Sequence, residues 1–416
     1  MDYDFLKLDN GVRIVGERID HFRSASVGLW VGAGSQYETV SEAGLSHFIE
    51  HMVFKGTQRR SAKRIAQEMD AVGGQLNAFT AKECTCFYAK VMDEHLPLAM
   101  DVVADMVTAP AFDAGEMEKE KGVVLEEIAM NEDTPEDLVY ELLMLAHYGD
   151  QPLSRPILGT QNDIETCTPE RLRAYWGKQY RPQNVVLSVA GHYDWTQVTE
   201  LAQKLLGNWS PDNYEARAFH VETVPFGVQA KEKDIEQIHI CMGYPGLPIG
   251  DEQNFHLSVL NSVLGGAMSS RLFQKIREET GAAYTVYSSP NSYTQTGMLS
   301  VYAATNPDMA KTVCGMIREE VALLAEHGLT REEFIMAREQ LKASFVLALE
   351  STSARMQTLG RRMLLMNETR SHDEVLRRLD AIQLEEVNSL SARLLSEKPS
   401  LSLVGNGAEA LAEVCL

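Results

Sequence analysis

Apolar and polar positions along this chain fall into two alternating periods, and the period changes at glycine, proline and serine. Residues 26-SVGLWVGAG-34 alternate, are rich in β-formers and end in glycine, which predicts a strand. Over 44–55 the apolar residues Leu45, Phe48, Met52 and Val53 follow a helical period. A second helix is predicted over 61–73, opening with Ser61 and closing on Gly73 and Gly74. Residues 75–91 read as a pair of strands, 94–110 return to helix and stop at proline, and a long acidic helix runs over 113–131.

Part of this order recurs. A helix over 169–178 leads into 187-LSVAG-191, and a helix over 384–396 leads into 401-LSLVG-405. The acidic helix has a counterpart in 330-TREEFIMAREQLKASFVLAL-349. Repetition of more than one feature in the same order points to two related halves. We therefore expect an N-terminal domain over 1–210, a linker over 211–229 rich in turn residues, and a related C-terminal domain over 230–416. Interleaved strands and helices with meander-like strand pairs predict an α+β fold of antiparallel-rich sheets backed by helices.

Composition narrows the class without deciding it. The chain has 416 residues, 44% apolar and 23% charged, too long for one ordinary core and typical of a globular protein. No run approaches the roughly 18 apolar residues of a membrane helix, and the acidic start MDYDFLKLDNG does not resemble a secretory signal, so a cytoplasmic location is expected. The net charge of −21 repels nucleic acid and anionic membranes, so neither is an expected partner. Six scattered cysteines without CxxC spacing are expected to be buried, reduced thiols.

The chemistry concentrates in 44-GLSHFIEHMVFKGT-57. On a helix His47, Glu50 and His51 share one face. Two imidazoles four residues apart are the usual way for one helix to chelate a divalent ion, and a carboxylate beside them can serve as general base. The order HxxEH is a recognised metallopeptidase arrangement, inverted from HExxH. A catalytic ion needs a third ligand from another element, and the acidic helix offers Glu116, Glu118, Glu120, Glu126, Glu127 and Glu132. Glu120 and Glu127 lie two turns apart on one face, but periodicity does not choose between them.

The run GxxHFIEHMVFKGT, with Glu127 following inside EKEKGVVLEE, resembles the pitrilysin or insulinase family of zinc metallopeptidases, and within it the processing-protease branch. The resemblance implies one Zn²⁺ per chain on His47, His51 and Glu127, Glu50 as general base, and Glu120 as a supporting acid near the metal. It also implies that Asn77, Ala78 and Phe79 of 77-NAFT-80 form an edge strand on which a peptide substrate lies extended. Arg277 and Tyr284 of 277-REETGAAY-284 would hold the substrate backbone and stabilise the oxyanion. Taken alone, NAFT is a nondescript strand piece, Arg277 a helix-surface residue and Tyr284 a strand core residue.

The second half carries no HxxEH, and 269-SSRLFQKIREE-279 is expected to match the zinc helix there without an imidazole. The family encloses a chamber with four such domains, so this chain would be half of a clamshell completed by a second chain, a homodimer or a heterodimer with a related one. The rival readings are an inactive relative serving as a structural or assembly subunit, and a structural zinc site.

Overall fold

In the computed structural model, residues 3–210, 219–221 and 226–415 are described, so most of the expected linker 211–229 lies outside the described residues. The fold is α+β, with two mixed sheets, each backed by helices. The chain divides into two compact units. One comprises Met1–Ile128, Arg155–Phe219 and Leu347–Ser371, and the other Ala129–Ser154, His220–Val346 and His372–Leu416.

The elements come in the order β1 (Asp4–Lys7), β2 (Arg13–Arg18), β3 (Ser24–Val31), α1 (Leu45–Val53), α2 (Ala62–Asp70), β4 (Gln75–Thr80), β5 (Thr85–Met92), α3 (Leu96–Thr108), α4 (Ala114–Asp133), α5 (Pro135–Tyr148), α6 (Gln161–Glu165), α7 (Pro169–Gln179), β6 (Val185–Gly191) and α8 (Trp195–Leu206). Then follow β7 (Val228–Glu232), β8 (Ile238–Pro245), α9 (Asn254–Leu264), a π-helical segment Phe273–Glu279, β9 (Thr285–Ser292), β10 (Gly297–Thr305), α10 (Ala310–His327), α11 (Arg331–Ala348), α12 (Thr352–Met366), α13 (His372–Ala381), α14 (Leu384–Leu395), β11 (Ser400–Gly405) and α15 (Ala408–Ala412).

The first sheet runs β1-β2-β6-β3-β5-β4, with only β2–β6 parallel. The second runs β7-β11-β8-β10-β9, with only β7–β11 parallel. In the first unit Val27, Leu29 and Val31 of β3 point into a core shared with Leu45, Phe48, Ile49 and Met52 of α1 and with α3. The alternate residues face the other way. Trp30 packs on Met356 and Leu359 of α12, and its Nε1 donates to Ser188 Oγ at 2.9 Å. A Cβ at Gly360 would meet the Trp30 ring at 2.0 Å, so glycine is what lets α12 lie this close to the sheet.

The corresponding helix in the second unit is α5, whose Leu138, Val139, Leu143 and Met144 pack on Cys241, Met298 and Val404. Thus α5, early in the chain, covers the second sheet, and α12, late in the chain, covers the first. The two repeats have exchanged a helix. Because both faces of these interior strands are covered, β3 and β10 are buried almost throughout, Ser26 and Ser300 included. All six cysteines are buried and free. Among the described residues no helix is long and apolar enough to cross a membrane.

Candidate metal centre

Helix α1 starts at Gly44, which has φ +78°, a conformation that costs other residues strain. A Cβ there would also lie 2.7 Å from the Leu158 carbonyl oxygen. Gly44 has no side chain to cap the helix, and Glu38 serves instead. Its Oε2 accepts from the Gly44 N–H at 2.9 Å and its Oε1 from the Ser46 N–H at 2.7 Å. A carboxylate on otherwise unpaired first-turn amides suits the positive end of the helix. Glu38 is only 2% exposed, and burial pushes its carboxyl up to about 7 although the amides pull it down. Ser46 Oγ meets Tyr175 Oη at 2.8 Å. With Leu45, Phe48, Ile49, Met52 and Val53 buried, the remaining face turns His47, Glu50 and His51 outward together.

Opposite them lies α4. The His51 ring is held between two of its carboxylates: Nδ1 is 2.9 Å from Glu120 Oε1, and Nε2 is 3.2 Å from Glu127 Oε2. His47 Nε2 lies 3.6 Å from the same Glu127 oxygen. The two imidazoles meet edge to face with centroids 4.6 Å apart. One ligand atom from each of His47, His51 and Glu127 falls within 4.8 Å of the others, and these form the only such group found among the described residues.

The donor chemistry fits a divalent ion. Burial, with His51 beside it, lowers His47 to about 3, which keeps it in the neutral form a ligand needs. Glu120, accepting at His51 Nδ1, leaves the Nε2 lone pair directed at Glu127. Glu127 Oε2 is buried and makes no hydrogen bond, although it is close to both rings. With both rings in the tautomer that turns Nε2 to Glu127, two lone pairs would face an unsatisfied carboxylate oxygen, an arrangement that a cation among them relieves.

Glu50 stands beside this group. Burial raises its carboxyl above the ordinary range, while the hydrogen bond from Thr80 Oγ1 to its Oε2, 2.5 Å long, pulls it down. Thr80 ends β4, the terminal strand of its sheet, so Asn77, Ala78 and Phe79 lie on a free edge leading to the base. The Ala78 N–H is taken up by Asn77 Oδ1 at 2.8 Å.

Arg277 and Tyr284 belong to the second unit. The Arg277 guanidinium lies between Phe273 and Tyr284, 4.8 and 4.4 Å from the ring centroids. Tyr284 is 73% exposed, which corrects its reading as a strand core residue. The matching of 269–279 to the metal helix also needs correction. Element order makes α9 the counterpart of α1, and 273–279 the counterpart of α2.

Three participants had no signal in the sequence. Glu38 and Thr80 reach the helix through the tertiary fold, and Lys55, inside the quoted run, pairs with Glu120 at 2.6 Å.

A profile described as "Insulinase (Peptidase family M16)" matches residues 13–161, and one described as "Peptidase M16 inactive domain" matches residues 166–341. The chain is 44% identical to the uncharacterized zinc protease YmxG of Bacillus subtilis, over 95% of this chain and 96% of that one. It is 40% identical to the uncharacterized zinc protease SCO5738 of Streptomyces coelicolor, over 96% and 88%. The fold matches the crystal structure of a protease from Helicobacter pylori with a TM-score of 0.92 at 19% identity, over 97% and 99% of the two chains.

Proposed function

This chain belongs to the insulinase family of peptidases, M16, and on that premise we propose that it is a zinc-dependent endopeptidase of the processing-protease kind. Its substrates are peptides or presequence-like segments bound in extended form. The observation that carries this reading is the convergence of His47, His51 and Glu127, with Glu50 and its Thr80 partner alongside.

His47, His51 and Glu127 would hold one zinc ion, and when bound it supplies Lewis-acid polarisation of the scissile carbonyl and a more acidic water. Glu50 takes the proton of the attacking water and returns it to the leaving amine. Its half-buried position, which raises its carboxyl, suits a base that must also act as an acid. Glu120 fixes the His51 ring from the side away from the ion. The substrate adds as a strand at Asn77–Phe79, its backbone replacing the Asn77 amide at the Ala78 N–H. Arg277 holds the substrate backbone, and Tyr284 donates to the developing oxyanion. A second copy of the chain completes the chamber.

The "inactive" description attaches to 166–341, a stretch without the HxxEH residues. Metal analysis of purified protein, paired with a chelator-sensitive assay on a quenched peptide mixture, tests the reading. One zinc per chain with chelator-reversible cleavage supports it. Bound zinc without cleavage by any preparation returns the chain to the rival role of assembly subunit.

A further inference from the structure

Lys55 lies two residues beyond the end of α1, where its N–H bonds to the Met52 carbonyl at 3.1 Å. Its side chain, about a third exposed, reaches back to Glu120, whose own side chain is 6% exposed. The two Glu120 oxygens thus have separate partners: Oε2 takes the Lys55 ammonium at 2.6 Å, and Oε1 faces His51 Nδ1 at 2.9 Å. The opposite ring nitrogen faces Glu127. Lys55, Glu120, His51 and Glu127 therefore form a chain of contacts ending at the metal position.

We infer that Lys55 is a positioning residue for the metal centre, acting through Glu120 to fix the orientation and tautomer of His51. The inference rests on the zinc-site reading above and extends it to a residue outside the ligand set. The argument is geometric and coulombic. A carboxylate with one oxygen anchored by an ammonium has its plane fixed, so the second oxygen stays on the Nδ1 axis. Without that anchor Glu120 can rotate about its side-chain bonds, and Oε1 loses its fixed place at Nδ1.

The test measures zinc affinity of metal-free protein by competition with a chromophoric chelator, in wild type, K55M, K55R, E120Q and the K55M/E120Q pair. Histidine-selective ¹⁵N spectra report the His51 tautomer in the same samples. E120Q is expected to weaken zinc about 10- to 100-fold, the range for losing an outer partner of a ligand, and K55M, acting only through Glu120, by a measurable part of that. K55R should recover most of that, and K55M should add nothing once Glu120 is glutamine. The tautomer population should broaden in K55M and E120Q alike. Wild-type affinity in K55M, or an equal loss with and without the Glu120 carboxylate, overturns the inference. If K55M does not melt cooperatively, K55Q carries the same comparison. Failure of wild-type protein to bind zinc would instead remove the metal-site reading itself.

Discussion

Helices α1 and α9 are the same piece of architecture put to two uses. Counting back from their C-terminal ends aligns 46-SHFIEHMV-53 with 257-LSVLNSVL-264. The buried positions coincide: Phe48, Ile49, Met52 and Val53 against Val259, Leu260, Val263 and Leu264. At the outward positions His47, Glu50 and His51 are matched by Ser258, Asn261 and Ser262. The partners are matched too. Thr80 donates to Glu50 in one unit, and Ser288, on the strand equivalent to β4, donates to Asn261 Oδ1 at 2.8 Å in the other. His51 meets Glu120 of α4, whereas Ser262 donates to Gln340 of α11 at 3.1 Å. At these three positions the second unit keeps hydrogen bonds and has neither charge nor imidazole. Packing holds these helices in place, then, and the chemistry is carried by three outward side chains.

The largest test of that contrast converts one site into the other. H51S gives α1 the residue found at Ser262. It should leave purified protein without zinc by elemental analysis and peptide cleavage below detection, while the melting temperature of the metal-free protein barely moves, since His51 is not part of the core. If H51S kept its zinc, the ligand assignment would be wrong. E50Q installs the amide type that Asn261 represents. Zinc should remain at one per chain while kcat falls by about 10²- to 10⁴-fold, the usual contribution of a general base.

The same comparison shows what a sequence can disclose. Helical and strand periods located the elements of the first half well: Ser61 accepts from the Arg64 N–H at the start of α2, as its position suggested, and the acidic stretch is α4. HxxEH was legible because both histidines and the base lie within one helical turn. Choosing Glu127 over its acidic neighbours needed the family resemblance, because periodicity alone treats Glu120 and Glu127 alike. The exchange of α5 and α12 left no trace, since an amphipathic pattern shows that a helix buries a face but not which sheet receives it. Nor could spacing reveal that the polar remnant at Asn261 and Ser262 marks the true counterpart of the metal helix, because neither residue resembles a ligand.

The helix starts differ as well. Glu38 caps α1 from within the core, whereas α9 opens at a half-buried turn where Asp251 Oδ1 accepts from the Gln253 N–H. Folded protein holds the Glu38 proton up to about pH 7, while the unfolded chain releases it near the ordinary 4.5. Protons are thus bound preferentially by the folded state between these values. This contribution to stability is complete below pH 4.5 and is lost as pH rises towards 7, in all about 3 kcal/mol. Urea melts across that window should show E38Q losing less stability than wild type as pH rises. Parallel slopes would mean that Glu38 ionises normally in the fold.

The finest distinction lies in the two hydroxyls. Thr80 and Ser288 occupy matching places, but one bonds a base and the other an amide. A hydrogen bond to a carboxylate is worth roughly 1.5–3 kcal/mol and one between neutral groups about 1. The first is spent on holding Glu50 where water must be deprotonated, next to the strand that receives substrate. T80V should therefore lower kcat about 10- to 100-fold, with KM and zinc content unchanged and T80S recovering the rate. S288A should leave kcat unchanged and lower stability by about 1 kcal/mol. If S288A slowed cleavage as much as T80V, the hydroxyl would be acting through the fold in both units. The separation of packing from chemistry drawn between α1 and α9 would then fail at the base itself.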